Sequence, residues 1–149
     1  MISVSLCMIV KNEEEVLGRC LKNAGKFADE IIIVDTGSED KTKKIAEMYT
    51  DKIFDFPWKD DFSAARNYAL DRGNGDYLMW LDADDVVPAE SVRRICTLKE
   101  ELPSDTDVVM MPYAVNFDEQ GKAVFSYYRE RIVKNKRNLR FKGKVHEAI

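Results

Sequence analysis

The chain has 149 residues, enough for one domain that buries roughly 68–70% of the surface its unfolded form exposes and folds without disulfides or a structural metal. Hydrophobic residues make up 45% and charged residues 34%, and the net charge of −4 disfavours nonspecific nucleic-acid binding, which needs a basic field. Cys7, Cys20 and Cys96 are widely spaced with no C-x-x-C pair, which predicts reduced, mostly buried thiols in a cytoplasmic protein.

The first run, Ile2–Val10, is apolar and rich in β-branched residues, so it reads as a strand. It lacks the basic flank of a signal peptide. No apolar stretch approaches the ~20 residues that cross a bilayer, which leaves at most peripheral membrane contact, at the inner face. Glu14–Lys22 follows with Val16, Leu17, Cys20 and Leu21 on one helical stripe. Glu30–Asp35 is a continuous apolar run, as expected of a parallel strand covered on both faces. After the turn Thr36-Gly37-Ser38, either Ser38 or Asp40 is placed to cap a helix that holds Ile45, Met48 and Tyr49.

Lys52–Phe56 is a third short strand, and Phe62–Asp71 a helix stopped by Arg72-Gly73-Asn74-Gly75. Asp76–Leu81 is a fourth strand, and Pro88–Leu102 a helix with proline in its first turn. Strands alternating with helices predict a doubly wound α/β fold with a mostly parallel sheet flanked by helices. The pattern then changes: Asp107–Asn116 and Ala123–Val133 read as longer strands joined by a turn at Asp118-Glu119-Gln120-Gly121, a mixed β region that looks cut short at Ile149.

In open α/β sheets ligands sit beyond the carboxyl ends of the strands. Lys11-Asn12-Glu13, Asp35-Thr36-Gly37-Ser38 and Asp82-Ala83-Asp84-Asp85 follow the first, second and fourth strands, which predicts one shared crevice. Asp82, Asp84 and Asp85 repel one another unless a cation or solvent relieves the charge, and hard oxygen ligands suit Mg²⁺ or Mn²⁺. An acidic loop capping the next helix is the plainer alternative; the position after a buried-looking strand favours the metal. Asp35 is either a turn residue or an acceptor for a nucleobase or ribose. No G-x-G-x-x-G follows the first strand, which argues against a dinucleotide dehydrogenase.

Spacing alone makes Arg66, beside Asn67, a partner in a surface salt bridge, with a guanidinium aimed at a base or diphosphate as the alternative. His146, the sole histidine, is either structural or part of a metal shell, and its neighbour Glu147 can serve as an acid or base. Trp58 and Trp80 read as core or pocket wall. The basic stretch Arg129, Arg131, Lys134, Lys136, Arg137 and Arg140 reads as a solvated face.

Taken together, SLCMIVKNEE, IIIVDTGSEDKT, FSAARNYAL and YLMWLDADD, in this order and spacing, resemble the family 2 glycosyltransferases over nearly the whole chain. WKDDFSAARN and the closing FKGKVHE resemble the subgroup of lipopolysaccharide-core glucosyltransferases and tetratricopeptide-repeat transferases. The resemblance implies a GT-A fold, Rossmann-like, with a nucleotide-sugar-binding half over 1–102 and the start of an acceptor-side region over 103–149, truncated at its C-terminal end. It implies a nucleoside-diphosphate sugar donor, expected to be UDP-linked, with Asp35 at the base or ribose near the backbone of Val10 and Asn12. It also implies Arg66 facing the nucleotide, and Asp82-Ala83-Asp84 as the D-x-D that handles ribose, a divalent cation (Mn²⁺ or Mg²⁺) and diphosphate, Asp85 being the extra acid often found there. Where the family carries a second Asp after the second strand, this chain has Thr36.

Transfer in such enzymes is usually inverting, to a saccharide, lipid-linked or peptide acceptor, and Glu130 and Glu147 are the candidates for its catalytic base. A nucleotide-binding module that does not transfer is the alternative of a different class. A nucleotidyltransferase is less well matched, because Lys11-Asn12-Glu13-Glu14 is a poor triphosphate loop. A phosphoacceptor receiver domain is rejected, since the places of its acidic residues hold Lys11-Asn12 and Pro57.

Overall fold

Strand β1 (Val4–Val10) has neighbours on both sides and is buried along almost its whole length, which is why its sequence is apolar on both faces. The structure, a computed structural model, describes residues 1–135, 138–143 and 148–149. After β1 come α1 (Leu17–Ala24), β2 (Glu30–Asp35), α2 (Thr42–Ala46), β3 (Ile53–Asp55), α3 (Phe62–Leu70), β4 (Tyr77–Met79) and α4 (Ala89–Glu101). Two long strands, β5 (Val108–Phe117) and β6 (Ala123–Lys134), complete one sheet in the order β3-β2-β1-β4-β6-β5. The first four strands in the chain are parallel, while β6 runs antiparallel to both β4 and β5.

Helices cover both faces. On one, Leu6 and Met8 pack with Leu17 and Leu21 of α1 and with Val92 and Ile95 of α4. On the other, Cys7, Ile32, Val34 and Leu78 pack with Ala69 and Leu70 of α3. Full burial of a side chain such as Leu6 or Met8 stabilises the fold by about 1.5–3 kcal/mol. Among the described residues no helix is long and apolar enough to cross a membrane.

Three local expectations are corrected. Helix α2 ends at Ala46, and the chain continues in tighter turns, Met48 N–H to the Ile45 carbonyl and Tyr49 N–H to that of Ala46. The helical stripe therefore does not reach Met48, which is 70% exposed. Ser38 caps nothing; its hydroxyl accepts the Asn12 N–H, while Asp40 accepts the Thr42 N–H. Cys7 and Cys20 are buried, but Cys96 is exposed, because the inward stripe of α4 is Val92, Ile95 and Lys99 and the next residue after Ile95 turns outward. Burial pushes the Cys7 thiol far up and the Cys20 thiol up to about 12, so neither ionises near neutrality.

Glu30, at the start of β2, fastens three segments. Its carboxylate accepts from Lys52 at 2.5 Å, from the Asn74 backbone and side-chain amides, each at 2.8 Å, and from the Ser5 hydroxyl. Burial alone would raise its pKa; these donors outweigh burial and hold it at about 2, below the ordinary 4.5. A folded-state pKa below the unfolded one stabilises the fold at pH above the unfolded value. That contribution fades as the pH falls from about 4.5 towards 2. Glu30→Gln is therefore expected to cost about 2 kcal/mol at pH 7. In urea melts at stepped pH, its difference from the native chain should shrink across that window.

Candidate functional site

The carboxyl ends of β1, β2 and β4 open on one side of the sheet, as parallel strands require, and the loops that leave them are tied together. Asp35 closes β2 with one carboxylate oxygen accepting the N–H groups of Gly37 (2.8 Å) and Ser38 (2.7 Å). Gly37 takes φ +114°, a backbone conformation that L side chains rarely adopt. Asn12 takes a left-handed conformation, φ +51°, and its side-chain oxygen accepts the Glu39 N–H at 2.8 Å. Thr36 N–H meets the Val10 carbonyl at 3.0 Å. The other oxygen of Asp35, Oδ2, is buried without a hydrogen-bond partner among the described residues. A buried carboxylate oxygen in that state costs free energy until a donor reaches it.

Beside these loops is a cleft of about 370 Å³ lined by Val10, Lys11, Glu13, Thr36, Trp58, Phe62, Arg66 and Asp82–Asp84, together with Ile9. The acidic segment forms its floor as a closed turn. Asp85 N–H bonds the Asp82 carbonyl at 3.0 Å, and the Asp85 carboxylate accepts the Asp82 N–H at 2.9 Å. Asp82, Asp84 and Asp85 each offer a carboxylate oxygen, all within 4.8 Å of one another. Asp84 is exposed, Asp82 half-buried and Asp85 buried. Two accessible hard oxygens beside a basic wall fit a small divalent cation that shares its shell with phosphate.

Arg66 is not the surface salt bridge that spacing suggests. It is 7% exposed, donates to Asp82 at 2.7 Å, and lies over the Trp80 ring at 4.5 Å and the Phe141 ring at 5.6 Å. Asp61 caps α3 by accepting the Ala64 N–H at 3.1 Å, which sets where Arg66 leaves the helix. Asn67, the next residue, clasps the backbone of Phe141 in both directions at 3.0 and 2.8 Å.

Arg131 also departs from the solvated face its neighbours suggest. It is 5% exposed, pairs with Asp85 at 3.1 Å and lies over Trp80 at 4.0 Å. Burial pushes the Asp85 carboxyl up, against the Asp82 N–H and the Arg131 charge, which pull it down. The Glu130 carboxylate lies 3.7 Å from Arg129 and accepts the Ile149 N–H at 3.4 Å. Lys136, Arg137, His146 and Glu147 lie outside the described residues.

Glu13 lines the cleft with Lys11 of its Lys11-Asn12-Glu13 cluster, as the sequence predicts, whereas nothing in the sequence singles out Phe62, and Trp58 reads there only as core or pocket wall. Both aromatic residues line the cleft in edge-to-face contact at 4.8 Å, with the Trp58 indole N–H on Asp60 at 2.9 Å. The only signal was proximity to the capped start of α3.

A family model described as glycosyl transferase family 2 matches residues 5–148. The chain belongs to that family. Among curated family relatives, a TPR repeat-containing protein of Synechococcus elongatus is 38% identical across 100% of this chain and 36% of its own length. The lipopolysaccharide core biosynthesis glycosyltransferase LpsC of Rhizobium meliloti is 28% identical across 98% of this chain and 56% of its own. The family domain described here thus spans between about a third and just over half of these two relatives. The crystal structure of glucosyl-3-phosphoglycerate synthase from Mycobacterium tuberculosis with uridine diphosphate superposes with TM-score 0.67, 16% identity, over 91% of this chain and 57% of that one. A second crystal of that synthase, holding Mn²⁺, uridine diphosphate and glucosyl-3-phosphoglycerate, superposes with TM-score 0.51 and 21% identity over 58% of this chain and 35% of that one. The fold is that of the GT-A glycosyltransferases.

Glu13 reports on the acidic floor. Burial raises its pKa, and the charges of Asp84, Asp82 and Asp40 raise it further. A divalent cation held at Asp82 and Asp84 would offset part of that field. Added Mg²⁺ is therefore expected to move the Glu13 titration to lower pH, read from its side-chain carboxyl carbon by NMR. An unmoved titration would argue against a cation at Asp82 and Asp84.

Proposed function

We propose that this chain carries the donor site of a glycosyltransferase that uses a nucleoside-diphosphate sugar, UDP-linked, and a divalent cation, Mn²⁺ or Mg²⁺. The observation that carries the reading is the convergence, on one side of the sheet, of the Asp82–Asp84 pair, the cations Lys11 and Arg66 and, at the end of β2, the Asp35 oxygen that is buried without a partner among the described residues. Uridine diphosphate and Mn²⁺ in crystals of the mycobacterial synthase support the same choice of ligands.

In this reading Asp35 Oδ2 accepts a hydrogen bond from the uracil or ribose, beside the backbone of Val10 and Asn12. Arg66, already over the Trp80 ring at 4.5 Å, presents its guanidinium along the nucleotide, and Lys11 adds a second positive charge. Asp82 and Asp84 would hold the cation, which when bound would supply Lewis-acid stabilisation of the departing diphosphate. The acceptor, a hydroxyl of a saccharide, lipid-linked or peptide substrate, attacks the anomeric carbon from the face opposite the leaving oxygen, so configuration inverts. A carboxylate takes the hydroxyl proton as the oxocarbenium-like state forms, and Glu130 and Glu147 are its two candidates. Ala83 lies within the turn, its backbone close to the donor.

Calorimetric titration of UDP, with GDP and CDP as controls and with or without Mn²⁺, tests this. UDP is expected to bind only with metal, and Asp84→Ala to weaken binding by tenfold or more, about 1.4 kcal/mol. Absence of binding by any of the three nucleotides to the folded protein would overturn the donor-site reading.

A further inference from the structure

The register of the β5–β6 hairpin breaks at one place next to the site. Val109 pairs with Ile132, but Met110 pairs with Glu130, so Arg131 is an extra residue, the bulged position of the pair. Bulges re-aim side chains and are enriched next to active sites. Here the bulge leaves the Arg131 carbonyl to accept the Trp80 N–H at 3.1 Å, and the side chain goes into the protein instead of to solvent.

Inside, Arg131 meets three features of the segment after β4 and one of β5. Its guanidinium donates to Asp85 at 3.1 Å and to the Trp80 carbonyl at 3.4 Å, and it stacks on Trp80 at 4.0 Å and Tyr113 at 4.9 Å. Tyr113 lies close enough to Asp85 to help pull its carboxyl down, and burial together with Asp85 pushes the Tyr113 phenol up in return. Both members of the ion pair have side chains only 6% exposed. The Asp85 oxygen that takes Arg131 also takes the Asp82 N–H at 2.9 Å. The chain of contacts therefore runs from the bulge through Asp85 to the backbone of Asp82, one of the two accessible carboxylates on the cleft floor.

We infer that the β6 bulge makes Arg131 a positioning residue for the cation site, with Asp85 serving as the brace that fixes the Asp82–Asp84 turn instead of as a direct metal ligand. The inference rests on the donor-site reading and assigns the support of that same site. The Asp85 side chain is only 6% exposed, lies outside the cleft lining and has its Oδ2 held by a buried guanidinium and a backbone amide, so it faces the turn and not the cleft. Partners that orient metal ligands in this way typically matter 10–100-fold to metal affinity.

The sign of the effect separates this role from simple electrostatics. Arg131 is a positive charge near the cation, so removing it without any loss of geometry should tighten Mn²⁺ binding. If it is a brace, removing it loosens the turn and weakens binding. The test uses Arg131→Gln, Arg131→Lys and the charge-balanced pair Asp85→Asn with Arg131→Gln, each checked for folding by circular dichroism and thermal melting. Mn²⁺ affinity in the presence of UDP is read from the electron paramagnetic resonance signal of the free ion.

The expected result is affinity about 10–100-fold weaker in Arg131→Gln and in the balanced pair. Arg131→Lys should lie between these and the native chain, since it keeps the charge but not the planar fork. Unchanged or tighter Mn²⁺ binding in folded Arg131→Gln overturns the inference. If that variant fails to fold, the same outcome in the balanced pair overturns it. Absence of Mn²⁺ and UDP binding in the native chain would instead overturn the donor-site reading itself, and the inference with it.

Discussion

A guanidinium taken out of water costs several kcal/mol unless its charge is matched and its flat face finds a surface. Around Trp80 three arginines are placed under that constraint. Arg66 arrives from α3, and Arg129 and Arg131 from β6, at 4.5, 4.9 and 4.0 Å from the indole ring. The indole N–H is itself bound to the Glu130 carbonyl at 2.6 Å. Trp80 stands just after β4, where the parallel part of the sheet meets the antiparallel hairpin, so one ring joins the helix that lines the cleft, the hairpin and the acidic turn. The geometry of the cleft depends on that junction staying filled.

The division of labour follows from where each charge finds its partner. Arg66 reaches Asp82, which is half-exposed, whereas Arg131 reaches Asp85, which is not. The outer pair is open to rearrangement when a ligand brings its own charges, and the inner pair is not. Asn67 adds a neutral fastening by holding the backbone at Phe141, whose ring closes the stack over Arg66. The cleft floor thus joins a carboxylate that can exchange partners, Asp82, to one behind it that stays paired, Asp85.

Much of this was legible in the residues. The run Glu30–Asp35 has the composition of a strand buried on both faces and is one, and the polar clusters after the first, second and fourth strands do share one side of the sheet. Local patterning served well wherever an element's length and its periodicity agreed. It failed where a partner is distant in sequence. Arg131 reads as one of several surface cations because neither the bulge nor Asp85, on another strand's loop, is visible from its neighbours. Arg66 was misjudged by the same route, since only the assembled sheet brings Trp80 beneath it. Helix α2 shows a different limit: the period continues to Met48 while the backbone tightens after Ala46, and periodicity does not register that change.

The thiols offer an experimental handle. Cys7 and Cys20 are closed to solvent with their ionisation suppressed, while Cys96 sits on the outer side of α4. A maleimide dye or spin probe should therefore attach at one place on the unaltered chain, because alkylation requires an accessible thiolate. That attachment point lies on a helix whose inner residues Val92 and Ile95 pack into the core, so the reporter would ride on the scaffold and not on the loops around the cleft.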